Sequence, residues 1–209
     1  MKKIILLISL VFSLPAFAGY TYVIDSYGPV PDLYGTESLL MIEQGGDNMI
    51  TLWDNSSAKI VSTSVLKQGF GGIQYLTQLG NSYLDFSGGE LGILNIGNNA
   101  TAKLSGGKIV EIYSNQSAWK LAGDPPVSVW NPHITIVYSG ALPVLNLTSH
   151  VLTGLWGNGT NFSIYLPNIT GYSPAIDNIK FTIIPEPASL ILLAVVGLLV
   201  RKRKGRQVH

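Results

Sequence analysis

Short alternations of apolar and polar residues, separated by turns rich in glycine and asparagine, run through the middle of this 209-residue chain. Residues 83–86, 93–96 and 108–112 are examples. Alternation with a period of two is typical of β-strands, in which successive side chains point to opposite faces. Between residues 19 and 184, Gly, Pro and Asn interrupt every stretch that has the 3.6-residue period of a helix. The pattern therefore predicts an all-β protein.

The alternations also repeat. Residues 50–60 align without a gap on residues 94–104, at an offset of 44, and both stretches end in Ala-Lys followed by Ile or Leu. Glycine pairs mark the turns between alternations at 45–46, 71–72, 88–89 and 106–107. Repeats of about twenty residues with such turns are typical of solenoids, in which each repeat stacks on its neighbours. We predict about four coils of a short parallel β-helix over residues 34–117, after an N-terminal lead-in over 19–33.

An ordinary antiparallel sandwich with glycine-rich turns is the alternative interpretation of the same pattern. The solenoid and the sandwich require different positions and backbone conformations of the glycines. In a solenoid, Gly88, Gly89, Gly106 and Gly107 lie at the ends of short parallel strands, and some of them have a positive φ.

A second region begins after residue 117, where the repeat stops. Asp124-Pro125-Pro126 breaks the pattern, and four later stretches are typical of strands. These stretches cover 133–138, 151–156, 161–166 and 178–183. Trp156 and Phe162 flank Gly157-Asn158-Gly159-Thr160, which is a strong signal for a β-hairpin turn. We predict an antiparallel β region over 118–184 that covers the last coil, because an uncovered coil leaves a sheet edge open to aggregation.

Residues 1–18 have the three parts of a secretory signal peptide. Lys2 and Lys3 precede an apolar run over 4–14, and Ala16 and Ala18 are small residues at the positions that signal peptidase requires before its cut. We expect cleavage after Ala18 and export of the N-terminus.

Three features follow one another at the other end of the chain. Pro185, Glu186 and Pro187 precede an apolar run over 188–200, and a tail over 201–209 follows. The tail begins with the basic residues Arg201, Lys202, Arg203 and Lys204. As a helix, the apolar run extends about 20 Å, short of the roughly 30 Å hydrocarbon layer, so we predict a marginal transmembrane helix over 188–200. The basic flank predicts that the tail is cytoplasmic and that residues 19–184 lie outside.

These three features resemble the PEP-CTERM sorting signal of Gram-negative bacterial proteins. The resemblance covers residues 185–209 and concerns sorting alone. It implies processing near Pro185-Glu186-Pro187 by exosortase, a membrane protease. It also implies an inner-membrane precursor, held briefly by residues 188–200, that is delivered to the cell surface or the exopolysaccharide matrix.

Charge and cysteine content narrow the function classes. Residues 19–184 contain six basic and eleven acidic residues, a net charge of −5, and the chain has no cysteine. Binding to nucleic acid requires clustered Lys and Arg, so we predict no nucleic-acid partner. The absence of cysteine excludes disulfides, thiolate metal sites and a cysteine nucleophile.

Candidate chemical groups are sparse. His133 is predicted to begin a strand and His150 to lie in a turn, with no carboxylate near either at metal-ligand spacing. The acidic residues to be weighed as calcium ligands or acid/base groups are Asp47, Asp54, Asp85 and Glu90. Each stands alone among Asn and Gly, a pattern that favours capping of backbone corners. We predict no catalytic residue, no cofactor and no metal.

Aromatic residues indicate a different class of function. Flat rings on a rigid scaffold can cover the faces of sugar rings, and six candidates are Trp53, Tyr75, Tyr83, Tyr113, Trp119 and Trp130. Core packing explains the same residues equally well. Trp53 and Trp119 are the preferred candidates for sugar stacking, because each lies beside polar turn residues.

The expected function is that of a non-enzymatic, exported protein of the cell surface or exopolysaccharide matrix. Its expected partners are signal peptidase and an exosortase-type protease during sorting, then exopolysaccharide. Two alternatives from other classes are a carbohydrate-binding module of that matrix and a degenerate β-helix polysaccharide lyase or hydrolase.

Overall fold

The computed structural model describes residues 19–66, 72–114, 131–168 and 175–184. Within these ranges the protein is all-β, as predicted, with one short 3-10 helix at Ala175–Asn178. No helix in the described ranges is long and apolar enough to cross a membrane. The predicted signal peptide, the membrane segment at 188–200 and the sorting motif lie outside these ranges.

Fourteen strands form two sheets. In chain order they are β1 (Tyr22–Ile24), β2 (Ser38–Met41), β3 (Asp47–Leu52), β4 (Ser57–Val61), β5 (Ile73–Gln78), β6 (Tyr83–Gly88), β7 (Glu90–Ile96), β8 (Thr101–Leu104), β9 (Lys108–Ser114), β10 (His133–Tyr138), β11 (Val144–Asn146), β12 (Val151–Leu155), β13 (Asn161–Tyr165) and β14 (Ile179–Ile183). The first sheet has the order β1-β2-β4-β6-β8-β10-β14 and the second has the order β11-β12-β13-β9-β7-β5-β3. From β2 to β10 the chain alternates between the two sheets.

All strand pairs within the described part of residues 34–117 are parallel. The antiparallel sandwich is therefore wrong for this range. The register also explains the sequence repeat. Ile50 pairs with Leu76, and Leu76 pairs with Leu94, so the offset of 44 joins strands that are second neighbours in the sheet.

Glycines lie at one set of corners, where the chain passes from a strand of the first sheet to a strand of the second. Gly89 has a φ of 83° and Gly107 a φ of 77°, in the region that side chains disfavour. A Cβ on Gly88 would lie 2.6 Å from the Ser62 carbonyl oxygen, and one on Gly106 would overlap the Ser87 carbonyl oxygen. The predicted placement of these glycines at the ends of short parallel strands is confirmed. Their role is to let successive corners pack backbone to backbone.

The opposite corners are built from asparagine and aspartate. Asp54, Gly80 and Asn98 occupy equivalent positions and have φ values of 55°, 70° and 53°. Next to them the side chains of Asn55, Asn81 and Asn99 form a ladder, with Nδ2 to Oδ1 distances of 3.3 Å and 3.5 Å. Asn and Asp tolerate this left-handed conformation better than other residues with a side chain, which explains the polar turns of the repeat.

The core lies between the two sheets and consists of stacked rows of apolar side chains. In the first sheet, Ile60, Phe86, Leu104 and Ile136 are consecutive register partners and are fully buried. In the second sheet, Ile50, Leu76, Leu94 and Ile112 form an equivalent row. Each such side chain contributes about 1.5–3 kcal/mol through burial. Stability thus comes from packing and backbone pairing along the stack.

Antiparallel pairing was predicted for residues 118–184. It is confirmed for the hairpin region and wrong for β10 and β14. Strands β11, β12 and β13 pair antiparallel. The turn after Trp156 closes through hydrogen bonds from Trp156 N to Thr160 O and from Gly159 N to Trp156 O, both 2.8 Å long. Strands β10 and β14, however, pair parallel and extend the first sheet. Alternation of apolar and polar residues is the same in both strand directions, so the pattern alone could not distinguish them.

The parallel stack also begins before residue 34. Strand β1, in the predicted lead-in, pairs parallel with β2. Leu33 forms a parallel bridge with Leu52, and Tyr27 forms one with Gly46. The lead-in therefore supplies the outermost strand of the first sheet and covers the edge of β3.

Candidate functional site

Two rows of side chains cross the outward face of the second sheet. Met49, Tyr75, Ile93, Glu111 and Tyr165 are consecutive register partners and form the first row. The second row consists of Thr51, Thr77, Asn95 and Tyr113. We call these two rows the tyrosine face.

Strict alternation of buried and exposed residues is interrupted beside the first row. In β5, Gln74 and Tyr75 are successive residues outside the core, whereas regular alternation would bury one of them. Gly92 and Ile93 repeat this in β7. A Cβ on Gly92 would lie 2.6 Å from the Gln74 carbonyl oxygen, so the backbones of β5 and β7 are in close contact at this position.

Within the tyrosine face lies an open depression of about 220 Å³, lined by Tyr75, Leu76, Thr77, Ile93, Asn95 and Tyr113. Tyr75 is 48% exposed. The Tyr113 hydroxyl donates a 2.9 Å hydrogen bond to Glu111 Oε2, which holds its ring in place. The depression thus combines two aromatic rings with a hydroxyl and an amide side chain.

The electrostatics of the tyrosine face are simple. Glu111 is its one carboxylate, it is partly buried, and it accepts a hydrogen bond from the Tyr113 hydroxyl. Stacking surface and neutral hydrogen-bonding groups dominate the rest of the two rows. Such a surface suits an uncharged ligand with apolar faces and polar edges, because aromatic rings stack on the former and amide or hydroxyl groups bind the latter.

The six predicted aromatic candidates do not form one surface. Tyr75 and Tyr113 come together in the depression. Tyr83 lies on the first sheet, where burial and then the charge of Asp85 raise the pKa of its hydroxyl above 10.0. Trp119 and Trp130 lie outside the described residues.

Trp53 lies at the corner after β3 and is 36% exposed. Its ring stacks on that of Tyr34, with 6.3 Å between the ring centroids and an angle of 5° between the planes. One face of the indole is therefore already covered by a neighbour in the chain. The sequence pattern identified Trp53 and missed Tyr34, since no spacing rule links residue 34 to that corner.

The four acidic candidates are separate in the structure. Asp47 accepts a 2.6 Å hydrogen bond from Val30 N, and Asp54 accepts one of 3.4 Å from Gly35 N. These two carboxylates cap backbone corners, as predicted. Glu90 forms an ion pair with Lys108 at 3.3 Å.

Asp85 lies in β6 on the outward side, with Lys59 and Lys103 as its register partners. His133 begins β10, and His150 lies in a turn with a φ of 55°, both as predicted. Among the described residues, no group of three or more His, Cys, Asp or Glu side chains could hold a metal ion.

Comparisons with protein-family models, curated proteins and solved structures find no match to this chain.

Proposed function

We propose that this protein is a non-enzymatic, exported component of the cell surface or exopolysaccharide matrix, and that its body is a short parallel β-helix. The observation that carries the proposal is the parallel register of β2 to β10, with strands alternating between two sheets around one core. Repeated parallel coils provide a rigid, elongated scaffold whose stability requires no disulfide. Such a scaffold suits a matrix in which surface presentation is the function.

The sorting route is proposed from the sequence. Residues 1–18 would direct export, and residues 185–209, which resemble a PEP-CTERM signal, would direct anchoring and exosortase processing. The fold supports this division, because β14, the last strand of the described residues, ends at Ile183, two residues before Pro185. A protease that cuts near Pro185 would therefore act beside the folded body without cutting through it.

Replacing Pro185, Glu186 and Pro187 together by alanine tests the sorting route. We expect the full-length chain to accumulate in the inner membrane, while the unchanged chain reaches the surface fraction without its basic tail. Cell fractionation and immunoblotting measure the two pools. Gln207→Ala is the matched control, since it changes the same end of the chain but neither the motif nor the basic cluster. Equal surface delivery of the triple variant and the control would contradict the proposed route.

A second candidate function, carbohydrate binding, is favoured by one specific observation. Tyr75 and Tyr113 meet in the depression on the tyrosine face, together with Thr77 and Asn95. A neutral glycan chain fits the chemistry of this surface, because pyranose rings alternate apolar faces with hydroxyl edges. The depression is an additional candidate stacking site beside Trp53 and Trp119. The third hypothesis, a degenerate lyase or hydrolase, gains no support from the described carboxylates, which are dispersed.

Tyr75→Ala tests the carbohydrate hypothesis. Loss of one stacked ring costs about 0.5–1.5 kcal/mol, so retention on a neutral polysaccharide gel should fall by about 2- to 10-fold. The thermal midpoint should change little, because Tyr75 is half-exposed. Tyr83→Ala is the matched control, a similarly exposed tyrosine on the opposite sheet. Affinity electrophoresis measures both, and equal retention of the two variants would exclude the tyrosine face as the binding surface.

A further inference from the structure

The first sheet ends in a regular strand on both sides. Among the described residues, β1 pairs only with β2, and β14 pairs only with β10. Each therefore presents one edge whose backbone N–H and C=O groups have no strand partner in the described chain. Such edges readily pair with another chain.

The second sheet ends differently from the first. At β3, the lead-in supplies hydrogen bonds from Gly28 N to Gly46 O and from Leu33 N to Thr51 O, at 3.1 Å and 2.9 Å. Pro29 and Pro31 lie in this covering segment and have no N–H to offer. At the other end, the antiparallel strand β11 terminates the sheet. β11 therefore has an open edge too, but its pairing is antiparallel, and among the described strands the open edges of parallel pairs lie in the first sheet.

The residues that direct their backbone N–H and C=O groups to the open side alternate along β1 and β14, and the two patterns are complementary. Ile42 N donates to Ile24 O at 2.9 Å, so Tyr22 and Ile24 direct their backbone groups toward β2 and Val23 directs its groups to the open side. Ile184 N donates to Tyr138 O at 2.8 Å. By the same alternation, Ile179 and Phe181 direct theirs to the open side of β14.

The directions of the side chains are also consistent with pairing of these two edges. Tyr22 and Ile24 pack against the core from one end, and Ile179 and Phe181 pack against it from the other. All four are only partly buried, since no further coil covers them within the described chain. Val23 and Lys180 point outward.

Charge distinguishes the two ends. Residues 19–58 contain six Asp or Glu residues and no Lys or Arg. Strand β14 instead carries Lys180. Two N-terminal ends repel each other, whereas an N-terminal end and the β14 edge do not.

We propose that copies of this chain associate head to tail, with β1 of one copy pairing parallel to β14 of the next. In this register Val23 lies opposite Lys180, Tyr22 opposite Ile179, and Ile24 opposite Phe181. The pairing continues both the backbone ladder and the apolar rows across the junction. Because the contact joins unlike surfaces, it produces open chains of copies and no closed dimer. This inference does not depend on the sorting route or on glycan binding.

Cysteine cross-linking tests the register, because the chain has no cysteine of its own. Val23→Cys and Lys180→Cys are prepared separately, from cells that express the full coding sequence, then mixed under mild oxidation. We expect a mixed disulfide dimer in several-fold excess over the self-dimers of either variant. The double variant should give a ladder of dimers, trimers and longer species on non-reducing gels. Directly opposed residues on adjacent strands lie within the distance that a disulfide spans.

Lys103→Cys is the matched control, since Lys103 points outward from the middle of the same sheet. Equal cross-linking of Val23→Cys with Lys103→Cys and with Lys180→Cys would overturn the proposal, as would predominant self-dimers or no cross-linked product.

Val23→Pro tests the same association independently of cross-linking. It removes the outward N–H of β1 and keeps the bonds to β2, so sedimentation velocity should show loss of concentration-dependent association with an unchanged circular dichroism spectrum. Undiminished association of a folded Val23→Pro chain would also overturn it.

Discussion

Replacing Trp156 by alanine is expected to lower the free energy of unfolding by about 3–5 kcal/mol, the largest effect of any single change considered. The side chain is fully buried. Its ring centroid lies 4.4 Å from that of Phe162, and its Nε1 donates a 2.8 Å hydrogen bond to Gly107 O. Trp156 therefore fastens the β12–β13 hairpin to a corner of the coiled body. Its removal leaves a cavity and an unpaired carbonyl.

Chemical denaturation followed by circular dichroism measures this effect. Trp156→Phe separates its two causes, because phenylalanine retains most of the apolar volume but loses the hydrogen bond, which is worth about 0.5–1.5 kcal/mol. Trp53→Ala is the matched control at a half-exposed tryptophan and should cost clearly less than Trp156→Ala. Equal losses for the two alanine variants would show that the hairpin contributes little to the stability of the body.

Gly107→Ala is expected to cost more than any alanine substitution at a turn glycine with free space around it. The left-handed φ alone costs about 1–2 kcal/mol for a residue with a side chain. A Cβ at this position would also lie 2.7 Å from both Gly89 O and Phe86 Cε1. Forcing these groups apart adds about 1–3 kcal/mol, because the contact joins neighbouring corners of the stack.

Gly159→Ala isolates the contribution of the dihedral angle. Gly159 has a φ of 83°, close to that of Gly107, but no atom lies within 4 Å of its Cβ position. The same denaturation measurement should give a small loss for Gly159→Ala and a loss larger by about 1–3 kcal/mol for Gly107→Ala. Similar losses at both positions would mean that the corners of neighbouring coils are not in backbone contact.

The sequence was sufficient to predict the all-β class, about half of the strands, the corner glycines and the hairpin turn, because each depends on local chemistry. Alternation predicted the strands. The corners at Gly89 and Gly107 need a positive φ and close backbone contact, both of which favour glycine. The hairpin followed from Gly157-Asn158-Gly159-Thr160 alone. The direction of β10 and β14 depends instead on where a long connection returns the chain, and alternation contains no information about that.

The tyrosine face was harder to predict, because the sequence repeat does not join adjacent strands of the second sheet. The sequence alignment at an offset of 44 matched second neighbours, and so it passed over the strand between them, β5, which carries Tyr75. The coil that contains β5 is longer than the next one. Ser57 pairs with Tyr83, whereas Tyr83 pairs with Thr101 after a shorter interval. Gln74 and Tyr75 both lie outside the core and break strict alternation, so a period of two assigned no face to Tyr75.

The intact mass of the chain recovered from the surface or matrix fraction tests the proposed role most directly. Sorting by the C-terminal signal predicts one species that begins at Gly19 and ends near Pro185-Glu186-Pro187, without the apolar helix or the basic tail. An abundant surface species that still ends at His209 would contradict it.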